Sequence, residues 1–180
     1  MKLGDINKPV MQFWHGGNLD IETPVRSGKW EYGPGLYLTT HYQTAKKYAK
    51  GSRKFYRINV ESGNDSSVTL IDFAKVQEFV ERYIIKSKKS EILQALTKYQ
   101  EGGRIIANYV ITILLNYEGL KTSNANALKS FLVGNGVDYS IISNPFGWGE
   151  KMMVLFNMNK IVKTEIIKPT DKIEKFDLNT

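Results

Sequence analysis

Apolar and polar positions follow three different patterns along the chain. In the first third, Val10 to His15 is a short apolar run broken by Gly16-Gly17, and Leu36-Tyr37-Leu38 is a second run behind Gly33-Pro34-Gly35. Both read as strands bounded by turns. Thr39 or Thr40 then offers a cap for a helix that carries Ala45, Tyr48 and Ala49 and stops at Gly51. Phe55 to Val60 alternates as a strand, and Val68 to Ile71 is a further candidate. The middle is helical. Asp72 serves as an N-cap, and Phe73, Val76, Phe79, Val80, Tyr83 and Ile84 recur at the spacing of one buried helical face. Ser90 caps a second helix through Ile92, Leu93 and Leu96, a nearly all-apolar third runs from Arg104 to Tyr117 after Gly102-Gly103, and a short fourth covers Ala125 to Leu132, ending at Gly134. Strand patterns return at Val137 to Ile142, Met152 to Phe156 and Ile161 to Ile167. Strands, then helices, then strands predict an α+β fold in which both ends of the chain share one sheet and the helices form an insertion between them.

Length and composition keep this picture simple. The 180 residues fit one domain spanning 1–180 without repeats or a Pro/Gly-rich linker, and the polar stretch 168–180 reads as a flexible tail. A hydrophobic share of 42% with 24% charged residues excludes wholesale disorder. The chain has no cysteine, so disulfides, thiolate nucleophiles and Cys-based zinc sites are excluded. No His/Asp/Glu cluster stands at ligand spacing, so no metal is expected. The most apolar stretch, Ala107 to Tyr117, is too short to span a bilayer, and Met1 to Gln12 lacks the apolar core of a signal peptide; the expected location is cytoplasmic.

Charge adds something the hydrophobic pattern does not carry. The net charge is +7, and the segment Pro24 to Val60 holds all of it: Arg26, Lys29, Lys46, Lys47, Lys50, Arg53, Lys54 and Arg57 against the single acid Glu31. Such a concentration suits an anionic partner, a phosphate-bearing cofactor or a nucleic acid, and equally suits a solvated, Lys-rich helix face.

Two histidines are available. His41 opens an exposed helix beside Tyr42 and Gln43 and reads as a surface residue. His15 closes an apolar strand in Phe13-Trp14-His15-Gly16-Gly17, where the glycines let another molecule approach the backbone. Tyr37 ends the second strand, and Tyr48 follows 11 residues on along the next helix; the pair suits either two aromatic faces around one planar ring or two rings in the core.

Together, Trp14-His15-Gly16, Gly33-Pro34-Gly35-Leu36-Tyr37-Leu38 and Tyr48 resemble the NAD-binding half of the ADP-ribosyltransferase fold, in the His-Tyr-Glu class that includes the poly(ADP-ribose) polymerases and diphtheria toxin. Gly35 to Ala49 is most like the small bacterial and phage members; the helical middle has no counterpart. The resemblance implies a split β-sheet core with NAD as substrate. His15 would bond a ribose hydroxyl of the adenosine half, the Gly16 backbone would hold the nicotinamide carboxamide, and Tyr37 and Tyr48 would sandwich the nicotinamide. Arg26, Arg53 and Arg57 would face the pyrophosphate. Where the family often has a small hydroxyl residue, Ala45 stands here, with Thr44 beside it as substitute.

The family's third element, a Glu opening a strand of the type Glu-aromatic-Val-Val-Phe-Asp, matches Gly149-Glu150-Lys151-Met152-Met153-Val154-Leu155-Phe156-Asn157 more loosely. Strict register puts Met152 in the Glu position, while Glu150 lies two residues earlier on the same strand face. Glu150 is the candidate carboxylate for the oxocarbenium-like transition state; the alternative is a surface carboxylate in the loop before it. The implied function is mono-ADP-ribosyl transfer from NAD to a macromolecule, nucleic acid slightly favoured over protein, of the kind used by toxins, phage-defence effectors and phage-encoded modifiers, with an antitoxin protein as a further partner. The alternatives are an NAD- or nucleic-acid-binding module without turnover and an NAD glycohydrolase.

Overall fold

The computed structural model describes residues 9–19, 31–49, 54–143, 145, 147 and 149–167. The predicted helix stop at Gly51 and the tail 168–180 lie outside them. The first third forms β1 (Val10–Gly16), β2 (Leu36–Thr39), helix α1 (Tyr42–Tyr48) and β3 (Phe55–Glu61). The last third supplies β7 (Tyr139–Ser143), β8 (Lys151–Leu155) and β9 (Ile161–Ile167). These strands make one six-stranded sheet in the order β7-β8-β2-β1-β3-β9, antiparallel at every pairing. The two ends of the chain do share a sheet, and the α+β class holds.

Between them lie β4 (Leu70–Asp72), α2 (Phe73–Tyr83), α3 (Lys89–Thr97), β5 (Gln100–Glu101), β6 (Arg104–Ile106), α4 (Ala107–Asn116) and α5 (Ala125–Gly134). Strand alternation divides the apolar residues between the two faces of the large sheet. Val154 and Phe156 join the helices in one core with Val76, Val80, Ile92, Leu96, Val110, Leu114 and Leu128. Met153 and Leu155, on the other face of the same segment, join Phe13, Leu38, Tyr56, Ile58, Val60 and Tyr139 in a second core.

Several boundaries differ from the pattern reading, each for a local reason. The third predicted helix begins at Ala107, because Arg104 to Ile106 is a strand paired with both β4 and β5. Gly102 and Gly103, at φ 55° and 76°, turn Glu101 directly back onto Arg104, the left-handed two-residue turn that matches the twist of a hairpin. A run such as Ile105-Ile106 fits a buried helix or strand equally well by period alone. The candidate strand Val68 to Ile71 is realised as the shorter β4, with Val68 exposed. Asp72 caps α2 as expected, accepting from the Ala74 N–H at 2.9 Å. Ser90 does not cap α3: a 3₁₀ turn, Lys86–Lys88, leads in and the helix starts at Lys89. Nor do Thr39 and Thr40 occupy the N-cap of α1, which is His41.

The hairpin gives a stability prediction. A Cβ on Gly103 would meet nothing within 4 Å, so Gly103→Ala carries only the left-handed backbone cost, about 1–2 kcal/mol. Urea unfolding of the variant should show a midpoint shift of that size with an unchanged slope.

Candidate functional site

Strand β1 is in register with β3 at all seven positions, Val10 to Gly16, but shares a single registered pair with β2, Trp14 opposite Thr39. Beyond Trp14 the ladder between β1 and β2 therefore opens, on the side of Gly16 and Tyr37. A side chain bridges the opening. His15 Nδ1–H donates to the Tyr37 carbonyl oxygen at 2.9 Å, since a carbonyl can only accept. The other ring nitrogen, Nε2, lies 3.4 Å from the Asn18 carbonyl, and the ring leans toward Tyr56 with centroids 6.1 Å apart.

Helix α1 sits directly on this end of β1. A Cβ on Gly16 would lie 1.8 Å from the Ala45 carbonyl oxygen and 3.1 Å from the Ala49 nitrogen, so no side chain fits beneath the helix. The bareness of Gly16 thus has a packing cause where the sequence pattern points to ligand approach. An edge-on contact of Trp14 with Tyr42 and a stack of Tyr42 on Phe55, each with centroids 5.4 Å apart, pin the first turn of α1 to β1 and β3. The last turn carries Lys46, Lys47 and Tyr48 outward, Tyr48 at 61% exposure. Thr44 is half-buried on the same helix.

Tyr37 is half-buried, its ring packed against the helical core. Its hydroxyl donates to the Gly33 carbonyl at 2.9 Å and accepts from the Tyr32 N–H at 3.2 Å, tying the Gly33-Pro34-Gly35 turn shut. Burial pushes the phenol up to about 12, with a small contribution from Tyr48. Tyr48 is close enough to be felt electrostatically, yet among the described residues its ring stacks on no other, leaving its face open.

Glu150, at the entry to β8, is 2% exposed and not the surface carboxylate that a loop position would give. It accepts a hydrogen bond from the Thr39 hydroxyl. That hydroxyl in turn accepts from the His41 N–H at 3.0 Å. Next to this pair, the Thr40 N–H donates to the Lys151 carbonyl at 2.9 Å and the Lys151 N–H donates to Thr40 Oγ at 3.0 Å. Met152 stands opposite Thr39 in the β2–β8 register and is buried. By alternation Glu150, Met152 and Val154 share the sheet face of Thr39 and Tyr37, and of the two contenders for the family carboxylate Glu150 is the one with an acid.

His15 and Gly16 thus lie on β1, Tyr37 on β2 and Glu150 at the entry to β8, with Thr44 and Tyr48 on the helix above β1; by the Trp14–Thr39 register the His15 side chain is on the sheet face opposite Tyr37 and Glu150, beside Tyr56. Arg26 and Arg53 lie outside the described residues. Arg57 is used elsewhere: it stands opposite Glu165 across β3 and β9, its Nε donating to that carboxylate at 2.8 Å. Hydrogen bonds from Lys163 and from Arg57 hold the Glu165 carboxyl below the usual range. Arg57, expected at a pyrophosphate, makes a cross-strand ion pair whose acid lies 108 residues away in sequence. Thr39 is the residue that pattern reading misses; the pattern assigns it to helix capping, and nothing local signals a partner 111 residues on.

No protein-family model and no curated protein matches the chain. Among solved structures, one described as the crystal structure of an anti-CRISPR protein is similar over 91% of this chain and 100% of that one, at 12% identity and a TM-score of 0.42.

Two outcomes follow from the site itself. Thr39→Val leaves the buried Glu150 carboxylate without its donor and should cost about 1–3 kcal/mol in urea unfolding, while Thr39→Ser restores most of it. A phenol whose value rises from 10.0 to about 12 on folding binds its proton more tightly in the native state. Its contribution is complete below pH 10 and lost as pH rises toward 12, by about 1.4 kcal/mol per unit. Tyr37→Phe should remove that component, so the stability difference between wild type and variant shrinks as pH rises from 10 toward 12.

Proposed function

We propose that the chain is an NAD-dependent mono-ADP-ribosyltransferase built on an ADP-ribosyltransferase-like split sheet. The observation that carries the reading is the His15–Tyr37 bond across the opening between β1 and β2, with the buried Glu150 at the entry to β8, the strand next to β2. His15 on β1, Tyr37 on β2 and Glu150 at the entry to β8 are far apart in sequence and close in the sheet order, which supports the reading. NAD is a substrate here.

In this reading His15, fixed through Nδ1, presents Nε2 to a ribose hydroxyl of the adenosine half. The backbone at Gly16 takes the carboxamide under the last turn of α1. The faces of Tyr37 and Tyr48 hold the nicotinamide, and a cationic ring gains from an aromatic face. The Tyr37 phenol, neutral at pH 7 even at its ordinary value and pushed higher still by burial, anchors the Gly33 turn through the bond its hydroxyl donates. Glu150 accepts from the 2′-hydroxyl of the nicotinamide ribose and stabilises the positive charge that develops as the bond from C1′ to nicotinamide breaks. The bonding pair leaves with nicotinamide, whose ring becomes neutral. The acceptor nucleophile forms the new bond to C1′ and releases its proton. Lys46 and Lys47, exposed on α1 beside Tyr48, suit an acidic acceptor, and nucleic acid is favoured over protein on that ground. The settings that fit such a domain are a toxin, a phage-defence effector or a phage-encoded modifier.

A second reading, a scaffold that binds NAD without cleaving it, is favoured by one observation: Glu150 is 2% exposed and already engaged by Thr39. Incubation with labelled NAD alone, with lysate and with purified RNA or DNA separates the two. The transferase releases nicotinamide and labels an acceptor; release without label identifies a glycohydrolase. His15→Ala and Tyr37→Ala should abolish turnover, and Glu150→Gln should slow it by about 10²–10³-fold. Binding of NAD with no nicotinamide released in any mixture establishes the scaffold reading and overturns the transferase.

A further inference from the structure

Helices α2 and α5 flank an open groove. It measures about 650 Å³ and is lined by both helices at helical spacing, so it runs along them. Three aromatic rings form its floor: Phe79 lies 5.0 Å from Tyr83 and 4.7 Å from Phe131, centroid to centroid. The α5 wall is low because Ala127, Ser130 and Gly134 are small, and a Cβ on Gly134 would meet nothing within 4 Å. The α5 residues that line the groove carry no charge.

The α2 rim is charged in a fixed order. Lys75, Glu78 and Arg82 are exposed on one face and read plus, minus, plus at the i, i+3, i+7 spacing of neighbouring turns. Arg82 is held over the Tyr83 ring, its guanidinium 5.3 Å from the centroid. Acids close by in sequence have partners, Glu81 with Lys89 and Glu91 with Lys88. The three rim residues make no ion pair among the described residues. An aromatic floor beside such a charge row is what an amphipathic helix satisfies, laying its apolar stripe on the rings and its flank along the row. A polyanion fits less well, since Glu78 stands between the two cations.

We propose that the groove between α2 and α5 docks an amphipathic helix of a partner protein whose flank reads acid, base, acid at the same spacing. α2 has 11 residues, so about three turns of the partner are engaged. A contact this small is transient, with a Kd on the order of 10⁻⁵ M. None of the residues assigned to NAD lines the groove, and the proposal stands independently of the transferase reading.

The experiment is fluorescence anisotropy on the full chain with two labelled synthetic helical peptides of equal composition and net charge, each with a Leu stripe. One carries Glu-Lys-Glu along its flank, the other Lys-Glu-Glu. The first should bind at about 10⁻⁵ M and the second at least about tenfold more weakly. Combining Lys75→Glu with Arg82→Glu should weaken the first by about tenfold or more. Ser130→Trp, which fills the groove from an exposed position, should abolish binding, and circular dichroism checks that each variant folds. Equal binding of the two peptides overturns the proposal, as does binding that survives Ser130→Trp or no binding at about 10⁻³ M, a hundredfold above the expected constant. A different occupant overturns it too: a dimer in sedimentation equilibrium that Ser130→Trp dissolves assigns the groove to a second copy, and a labelled single-stranded oligonucleotide that wild type binds and Ser130→Trp does not assigns it to nucleic acid.

Discussion

Continuity of the large sheet rests on one four-residue strand. β2 is flanked by β1 on one side and β8 on the other, so without Leu36 to Thr39 the N-terminal strands and the β7–β8 hairpin would be two separate pieces. Its residues divide the work by alternation: Leu38 enters the core shared with Phe13 and Met153, while Tyr37 packs against the helical core. Its grip is unequal. All four residues are in register with β8, but only Thr39 is with β1. Short backbone pairing is supplemented by side chains, His15 reaching the Tyr37 carbonyl on the β1 side and Thr39 reaching Glu150 on the β8 side. The opening between the strands and the residues that line it are one consequence of that shortage.

The fold is legible in the chain wherever the signal is local. β1, β3 and β9 alternate within their own span, and α2 has both a periodic apolar face and an Asp cap that makes its bond to Ala74. Failures fall where two local readings are degenerate. Ile105-Ile106 fits helix and strand alike, and the decision comes from pairing with Leu70 and Ile71 and with Gln100, information that no window around Arg104 contains.

The site shows the same division more sharply. His15, Gly16 and Tyr37 are readable because glycines and aromatics surround them in short runs, although the reason for Gly16 is the carbonyl of Ala45 above it. Glu150 resembles a loop carboxylate in the sequence because its burial depends on Thr39. Arg57 resembles a free cation there because Glu165, which holds it, comes 108 residues later. The concentrated positive charge of the first third is accordingly not all available: part of it joins β3 to β9, and Lys46 and Lys47 on α1 are exposed.

The bond between Thr39 and Glu150 spans 111 residues, and that separation orders events in time. The N-terminal part of a chain emerges and folds first during synthesis, so β1, α1 and β3 can assemble and the helical middle can build its own core before β8 exists. Contacts this distant in sequence form late and slowly. Until residues 150–155 have been made and have threaded alongside β2, the Thr39 hydroxyl stands without its acceptor and β2 is in register with β1 at one position alone. A chain halted anywhere in the helical middle therefore lacks both β8 and the Thr39–Glu150 bond, and β2 stands as an unpaired edge of the sheet on that side.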